Sequence, residues 1–380
     1  MINKARLIRL TQKVLSMDSQ NPPGNELALA RFIEKDMRSL PLKVKTYPFA
    51  PDRPNVIAVL PGTLPRKKAQ KEALLLTPHM DTVPVGQGWK YHPFGKQIQG
   101  GRIYGRGATD DKGNLAVCME VIRSLVEDKV KLKRDVIMAA TVDEETGSHD
   151  GIIPLLKKKL LPCRAALILD SDEYDCIIAQ KGLLHARIQI FGKKAHGAYN
   201  WRGKNAIEIA SRVINKLKKH KFRFRKHLLI RPPTINIGTI QGGDKVNIVA
   251  DFCEFSVDIR FMPSMTSHQV IRDIKKIVKS ETNHCKLMID DIQQPYEIDK
   301  NHPFVKTYIK AARSLRIKSL LKGSEGATVM TFFKKHKIPA FASGFGARGT
   351  AHTTDEYAHI KTLYNGARLL ERFVKEYDRS

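Results

Sequence analysis

Residues 74–81, LLLTPHMD, decide how the rest of the chain is organised. The three leucines predict a short buried strand, and the chain turns polar at His79 and Asp81. Side chains that follow the carboxyl end of a strand in an α/β sheet lie where ligands bind. An imidazole and a carboxylate two positions apart suit a metal ion, because one can ligate while the other orients it. His-x-Asp also occurs often by chance, so this interpretation depends on the rest of the chain.

Two later apolar segments also end in acidic residues. Residues 134–142 predict a buried strand that leads to Glu144 and Glu145, and Ala165–Leu169 predict another that leads to Asp170. Any one of them could be an ordinary solvated strand end. Ligand chemistry at the ends of all three strands is much harder to assign to chance.

A Gly-rich run at residues 100–113 has the glycine content of a phosphate-binding loop. It lacks the Gly-Lys-Ser/Thr ending, and it does not follow directly on an apolar strand as a dinucleotide-binding loop does. We interpret it as a tight backbone path that brings Asp110 to a fixed point. A second Gly-rich loop near the carboxyl end, SGFGARGTAHTTDEY, carries His352.

The composition is that of an ordinary globular protein, with 380 residues, 42% of them hydrophobic and 27% charged. This length favours two domains. No apolar run approaches the ~20 residues that a membrane span needs, so we expect no membrane partner. The first 17 residues have the pattern of an amphipathic helix and not of a signal peptide. Five scattered cysteines favour a reducing compartment, hence the cytoplasm, and argue against a cysteine metal site.

The formal net charge of +28 is the unusual global property of the chain. Such a charge attracts anions, which include nucleic acids, anionic membrane surfaces and acidic substrates. The lysines are spread along the whole chain, however, and only residues 216–226, KLKKHKFRFRK, interleave basic and aromatic residues as a nucleic-acid-binding segment does. We therefore favour a solvated basic surface over a dedicated nucleic-acid site, and steering of acidic substrates fits either interpretation.

The order of predicted elements divides the chain. Between residues 182 and 291 the pattern is strand, helix, two strands, helix, strand, which is the ferredoxin-like βαββαβ arrangement. One of its helices begins at Thr266, with Gln269 at capping-box spacing. We predict an α/β domain with a mixed sheet flanked by helices, formed by residues 1–181 and 294–380, and a ferredoxin-like domain, 182–293, inserted into it. In the first domain we expect helices at 5–17, 25–39, 113–127, 303–315, 326–335 and 360–376, strands at 44–47, 55–60 and 338–341, and a charged loop at 61–72. In the second we expect a helix at 206–217 besides the one that begins at Thr266, and strands at 184–191, 234–240, 247–260 and 286–289.

The candidate ligands form one chemical set. They are two imidazoles and three carboxylates, which suit zinc, cobalt or manganese better than calcium. Five ligands exceed what one tetrahedral zinc needs, and they fit two ions ~3.5–4 Å apart that share one carboxylate. The set is His79, Asp110, Glu145, Asp170 and His352.

At this point the chain resembles a known family, the dinuclear zinc amidohydrolases that include acetylornithine deacetylase, succinyl-diaminopimelate desuccinylase, glutamate carboxypeptidase and aminoacylase. The matching segments appear in family order and cover about residues 70–360: PHMDTVP, GRGATDDKG, DEETGS, LDSDEYDCIIAQKG, GKKAHGAYNWRGKNA, GGDKVNIVADFCEFSVDIR and AHTTDEY. The resemblance implies a zinc-peptidase-like catalytic domain with an inserted lid and dimerisation domain, and two Zn²⁺ ions, with Co²⁺ or Mn²⁺ as substitutes.

The resemblance also implies a role for each candidate ligand. Asp110 would bridge the two ions, with His79 and Asp170 on one ion and Glu145 and His352 on the other. Asp81 would orient His79, and Glu144 would be the general base. The family often has glutamate at the position of Asp170. Asp172, two residues on, is a rival for this role, but the alignment to Lys181-Gly182 favours Asp170, and Asp111 would be a bystander.

Further implied roles lie in the inserted domain and the late Gly-rich loop. His196 would reach the active site of the partner subunit of a homodimer and stabilise the oxyanion. Asn247 and Arg260 would bind the carboxylate of the substrate, and the loop at 344–349, with Gly346, would line the pocket. The family commonly has an aspartate where this chain has Val329, which leaves the side chain of the substrate open.

The implied reaction is hydrolysis of the amide of an N-acylated amino acid, of the acetylornithine or succinyl-diaminopimelate type. Water between the metal ions would attack, with Glu144 as general base. A di- or carboxypeptidase is the alternative within this chemistry. Alternatives of other classes are a non-catalytic binding module on the same scaffold, a nucleic-acid binder that uses residues 216–226, and a hydrolase whose substrate is borne by an acidic carrier protein.

Overall fold

Apolar strands and amphipathic helices alternate along most of the chain. The computed structural model describes residues 1–380. Its helices are α1 Lys4–Leu15, α2 Leu27–Arg38, α3 Arg66–Lys71, α4 Lys112–Glu127, α5 Ile152–Lys157, α6 Ala206–Lys219, α7 Ser267–Lys279, α8 Pro303–Ser314, α9 Met330–Lys335 and α10 Ile360–Arg379, with a 3₁₀ helix at Gly197–Arg202. Its strands are β1 Lys43–Ala50, β2 Arg53–Leu60, β3 Leu74–Thr77, β4 Ile98–Gln99, β5 Arg102–Tyr104, β6 Val136–Ala140, β7 Ala165–Leu169, β8 Cys176–Gln180, β9 Gly182–Phe191, β10 Thr234–Gly242, β11 Phe252–Phe261, β12 Cys285–Gln293, β13 Tyr296–Glu297, β14 Leu321–Ser324, β15 Ala340–Ser343 and β16 Tyr357–His359.

The chain divides into two units. The larger unit contains residues 1–178, 298–322 and 328–380, and the smaller contains residues 179–297 and 323–327. None of the helices has both the length and the apolar character that crossing a bilayer requires.

The main sheet of the larger unit has four parallel strands at its centre. Strands β6, β3, β7 and β15 are neighbours in that order and run parallel. On one side β2 and β1 continue the sheet in antiparallel pairing, and on the other β8 pairs antiparallel with β15. Because the central strands are parallel, their carboxyl ends lie along one edge of the sheet.

The composition of these strands explains their position. Every residue of β3, β6, β7 and β15 is buried, as expected for parallel strands that are covered on both faces. Helix α4 packs against α1 and α10, and α10 packs against α8. The predicted mixed sheet flanked by helices is therefore confirmed.

The smaller unit is a four-stranded antiparallel sheet with the strand order β10-β11-β9-β12. Numbered within the unit, this order is 2-3-1-4, the arrangement of the ferredoxin-like βαββαβ motif. Helices α6 and α7 contact this sheet, and their apolar faces build one core with its inward-facing residues. The capping box of α7 is present, since Thr266 and Gln269 exchange hydrogen bonds.

Several local predictions were wrong. The charged stretch 61–72 contains the short helix α3, in which Ala69 is buried. The strand predicted at 247–260 begins only at Phe252, because Ile248 instead forms a bridge with His196. Helix α9 begins four residues later than expected, at Met330.

The basic segment 216–226 continues from α6 into a stretch without regular secondary structure. The rings of Phe222 and Phe224 pack against the core of the smaller unit, while Lys221, Arg223 and Arg225, which alternate with them, are exposed. Lys216 pairs with Glu281, and the remaining lysines and arginines of the segment are exposed.

Candidate metal centre

The parallel strands deliver the first candidate ligands. His79 follows β3, and the chain after β3 is bridged to the chain after β6 through His79 and Thr141. Glu144 and Glu145 follow β6, and Asp170 follows β7 directly. Since these three strands are adjacent and parallel, side chains from distant parts of the sequence meet at one edge of the sheet.

Asp110 lies between two histidines. Its Oδ1 is 3.0 Å from His79 Nε2, and its Oδ2 is 3.1 Å from His352 Nε2. His352 Nε2 is also 3.3 Å from Glu145 Oε1. One carboxylate that presents each of its oxygens to a different imidazole has the orientation required of a ligand shared by two ions.

The donor atoms form two overlapping groups, and within each group all of them lie within 4.8 Å of one another. One consists of His79, Asp110 and Glu145, and the other of His79, Glu144 and Asp170. Asp172, the rival to Asp170, belongs to neither group; it forms a bridge with Gly346 instead.

Asp81 holds both the histidine and the glutamates. His79 Nδ1 is 3.0 Å from the backbone oxygen of Asp81 and 3.4 Å from its Oδ1. In a neutral imidazole, an Nδ1–H that donates to the backbone oxygen of Asp81 leaves Nε2 unprotonated, and Nε2 is directed at Asp110. The carboxylate of Asp81 accepts hydrogen bonds from the backbone N–H groups of Glu144, at 3.1 Å, and Glu145, at 3.0 Å.

Comparison with known proteins agrees with this geometry. Residues 75–376 match the peptidase family M20/M25/M40. The chain belongs to this family. It is 30% identical over 316 residues to the acetylornithine deacetylase of Shigella sonnei (strain Ss046), which covers 80% of each chain.

Solved structures of the fold are also similar. A tripeptidase from Staphylococcus aureus has a TM-score of 0.83 at 24% identity, over 100% of both chains. A dinuclear metal binding peptidase of the M20 family from Bacillus subtilis has a TM-score of 0.75 at 15% identity, over 98% of this chain and 97% of the other. As a member of the M20/M25/M40 family, the protein is a metal-dependent hydrolase.

The electrostatics of the M20-type site reflect crowded carboxylates. Burial raises the pKa of Glu144 well above its usual value, and the nearby Asp170 adds to this. Burial and the charge of Asp110 raise the pKa of Asp170 to about 7. Burial also acts to raise the pKa of Asp110, but hydrogen bonds from the two histidines outweigh it and hold that pKa low. The carboxylates of Asp110 and Glu145 beside it raise the pKa of His352 to about 10.

The donor set fits metal ions. Glu145 Oε1 is buried and accepts no well-formed hydrogen bond, although His352 Nε2 lies 3.3 Å away, and this arrangement costs free energy unless a cation or donor compensates it. Asp110, His79 and His352 lie beside it, all nitrogen and oxygen donors of the kind that divalent transition metals bind.

Three residues that support the site were missed or undervalued in the sequence. Asp111 Oδ2 accepts the backbone N–H of His79 at 2.8 Å, although the sequence indicated a bystander. Asn21 Nδ2 donates to Asp81 Oδ2 at 2.9 Å, and Glu356 accepts backbone N–H groups of the loop that carries Asp110. The partners of all three are distant in sequence or are backbone atoms, so no spacing reveals them.

In the smaller unit, His196 and Asn247 lie together. The N–H of Gly197 donates to the backbone oxygen of Asn247 at 2.8 Å. A Cβ at residue 197 would lie 3.1 Å from that oxygen, so glycine permits the close approach. His196 Nδ1 accepts the N–H of Ala198, which leaves Nε2 directed away from the turn.

Arg260 does not lie with these two residues. It pairs with Leu183 across the sheet, whereas Phe252, near Asn247 in sequence, pairs with Phe191. Eight residues at ~3.4 Å each separate positions 252 and 260, about 27 Å. The guanidinium of Arg260 contacts Asp258, with Nε 2.8 Å from Oδ1.

Gly346 is buried against the loop of Asp110. A Cβ at this position would lie 2.5 Å from Thr109 Cγ2 and 2.7 Å from Thr109 Cα, so a side chain does not fit. The late Gly-rich loop is therefore packed directly against Thr109, the residue that precedes the candidate bridging ligand Asp110.

Proposed function

We propose that this protein hydrolyses the amide bond of an N-acylated amino acid, as an acetylornithine deacetylase or a succinyl-diaminopimelate desuccinylase does. The observation that carries the proposal is Asp110 held between His79 and His352, with Glu144 beside His79 and Asp170. The 30% identity to an acetylornithine deacetylase supports a deacylase in particular.

Two Zn²⁺ ions are the proposed cofactors, with Co²⁺ or Mn²⁺ as substitutes. Asp110 would be shared; His79 and Asp170 would hold one ion, and Glu145 and His352 the other. When bound, such ions supply Lewis acidity to water and to an amide carbonyl.

Glu144 is the proposed general base. It is held by Asp81 through its backbone N–H, and its carboxylate lies in the donor group with His79 and Asp170. A carboxylate within ~2.6–3.2 Å of a water can take its proton and pass it to the leaving nitrogen. Burial raises the pKa of Glu144, which favours this role, because a carboxylate with a raised pKa is a stronger base than an exposed one.

The smaller unit is proposed to be a lid and the dimerisation domain of a homodimer. His196 and Asn247 of one subunit would enter the site of the partner, where His196 stabilises the oxyanion and Asn247 binds the substrate carboxylate. Arg260, at the other end of the sheet, would also bind the substrate carboxylate. Its guanidinium would then contact the substrate in place of Asp258. The distance of about 27 Å along the strands supports contributions from two different subunits.

A peptidase is the second candidate, because a tripeptidase shares the fold over the full length of the chain. The turnover of N-acetylornithine, N-succinyl-diaminopimelate and alanyl dipeptides by the metal-loaded protein separates the two. We expect the N-acylated amino acids to be turned over at least ~100-fold faster than the dipeptides, a difference of about 2.7 kcal/mol in activation free energy. Preference for a dipeptide would instead assign a peptidase.

Glu144→Gln tests the base. The glutamine keeps the size of the side chain but cannot accept the proton, so we expect turnover to fall by ~10²–10⁴ while bound metal is retained. Metal analysis together with turnover measures this, and full activity in the variant would refute the assignment. Asp172→Asn, which lies outside both donor groups, is the matched control.

Five unpaired cysteines support a reducing compartment, for which we propose the cytoplasm.

A further inference from the structure

Glu356 is a fully buried carboxylate four residues after His352. Its Oε1 accepts two consecutive backbone N–H groups, from Thr109 at 2.9 Å and from Asp110 at 3.1 Å. Its own backbone oxygen accepts the N–H of Gly105 at 2.9 Å. The residue therefore holds both ends of the turn that leads to Asp110.

Arg106 completes the arrangement from within that turn. Its Nη1 donates to Glu356 Oε2 at 2.7 Å and lies 3.1 Å from the backbone oxygen of Thr353. Both side chains are buried, so the pair is screened little by water. The pair joins the loop of Asp110 to the loop of His352 across 250 residues of sequence.

We propose that Glu356, with Arg106, is a positioning residue that fixes the Asp110 carboxylate between the two histidines. The side chain of Asp110 has few rotatable bonds, so the position of its backbone N–H limits where its oxygens can lie. Glu356 ties this N–H to the loop that carries His352. The inference rests on the proposed role of Asp110 as a metal ligand and adds the device that sets its position.

Asp135, a buried carboxylate paired with the half-exposed Arg66, offers a control of similar chemistry. Asp135 Oδ1 accepts the N–H of Gly62 at 2.8 Å, and its Oδ2 accepts from Arg66 at 2.6 Å. Asp135 directly precedes β6, so it lies at the edge of the sheet opposite the candidate ligands. Its removal also leaves a backbone N–H and an arginine unpaired, but neither Gly62 nor Arg66 lies in a segment that carries a candidate ligand.

The experiment measures the affinity of the metal-free protein for Zn²⁺ without substrate. We expect Glu356→Ala and Glu356→Asp, whose shorter arm cannot reach both partners, to raise the Zn²⁺ dissociation constant by ~10–100-fold. Glu356→Gln keeps an oxygen for the two N–H groups, so it should recover most of the affinity. Asp135→Ala should leave the dissociation constant unchanged, even though it lowers thermal stability.

Unchanged Zn²⁺ affinity in Glu356→Asp, or an equal loss in Asp135→Ala, would overturn the positioning role. Glu356→Asp keeps the charge and decides the question if Glu356→Ala does not fold. If the wild-type protein binds no divalent metal ion, the proposed function itself is refuted. If the wild type binds Zn²⁺ and the Glu356 variants bind it equally well, only the positioning role is refuted.

Discussion

Asn21 shows how much of the candidate site depends on side chains that touch no ligand atom. It is buried, and its amide nitrogen lies 2.9 Å from Asp81 Oδ2 and 2.8 Å from Thr146 Oγ1. Asp81 in turn accepts the N–H groups of Glu144 and Glu145. Asn21 thereby sets the orientation of the carboxylate that holds the proposed base.

We expect Asn21→Ala to lower kcat by ~10–100-fold with little change in KM, because the base is displaced while the substrate contacts remain. Steady-state kinetics of the metal-loaded variant measure this split. Asn25→Ala is the control from the same turn, since Asn25 is exposed and its amide reaches only Asp18, at 3.5 Å. Equal kinetic effects of the two substitutions would contradict this role of Asn21.

The sequence predicts candidate ligands and one support, Asp81 beside His79, but not the more distant supports. His79, Glu145 and Asp170 are conspicuous because they follow apolar strands, and the structure brings them together. Asn21 and Glu356 act through hydrogen bonds to partners 60 and 246 or more residues away, which no local pattern encodes. A ligand at a strand end can thus be predicted from the sequence, whereas the hydrogen bonds from distant residues that orient it cannot.

Arg53 links three elements of the larger unit. It lies at the start of β2, pairs with Glu26 at the start of α2, and lies 3.2 Å from Asp143 after β6. It also packs over Gly24, where φ is +101° and a Cβ would meet the guanidinium at 2.5 Å. The positive φ and the close approach of Arg53 explain why residue 24 is a glycine.

Arg53→Met should lower the free energy of unfolding by ~3–5 kcal/mol, because it leaves the carboxylates of Glu26 and Asp143 buried without a cation. Urea denaturation measures the change. Arg38→Met is the control; Arg38 pairs with Glu34 one helical turn away at the surface, and its loss should cost ~0.5 kcal/mol or less. A loss for Arg53→Met no larger than that of the control would contradict the account.

Elements with a strong periodic pattern were predicted and weak ones were not. The amphipathic helices α1, α2, α6 and α7 and the apolar strands β3, β6 and β7 lie where the sequence places them to within a few residues. Helix α5 and strand β8 were missed. They have six and five residues, too few for a period to show, and their structure depends on tertiary packing.

The proposed dimer gives a test that depends on the assembled protein. Glu144→Gln and His196→Ala should each be inactive alone, but a mixed dimer would contain one site with Glu144 from one subunit and His196 from the other. Random mixing of the two variants should therefore restore about a quarter of the wild-type activity, given a symmetric two-fold dimer. No recovery after co-expression would show that His196 does not act across subunits.

The central claim is that Asp110, which meets the ligands at the strand ends, is a carboxylate shared by two metal ions. Its most direct test is the metal content of the purified protein and of its Asp110→Asn variant, after removal of metal with a chelator and reloading with Zn²⁺. We expect about two ions per wild-type chain, with activity lost on chelation and restored on reloading, and neither ion bound tightly by Asp110→Asn. A wild-type chain that takes up one ion or none, or a variant that still binds two as tightly, would contradict the account.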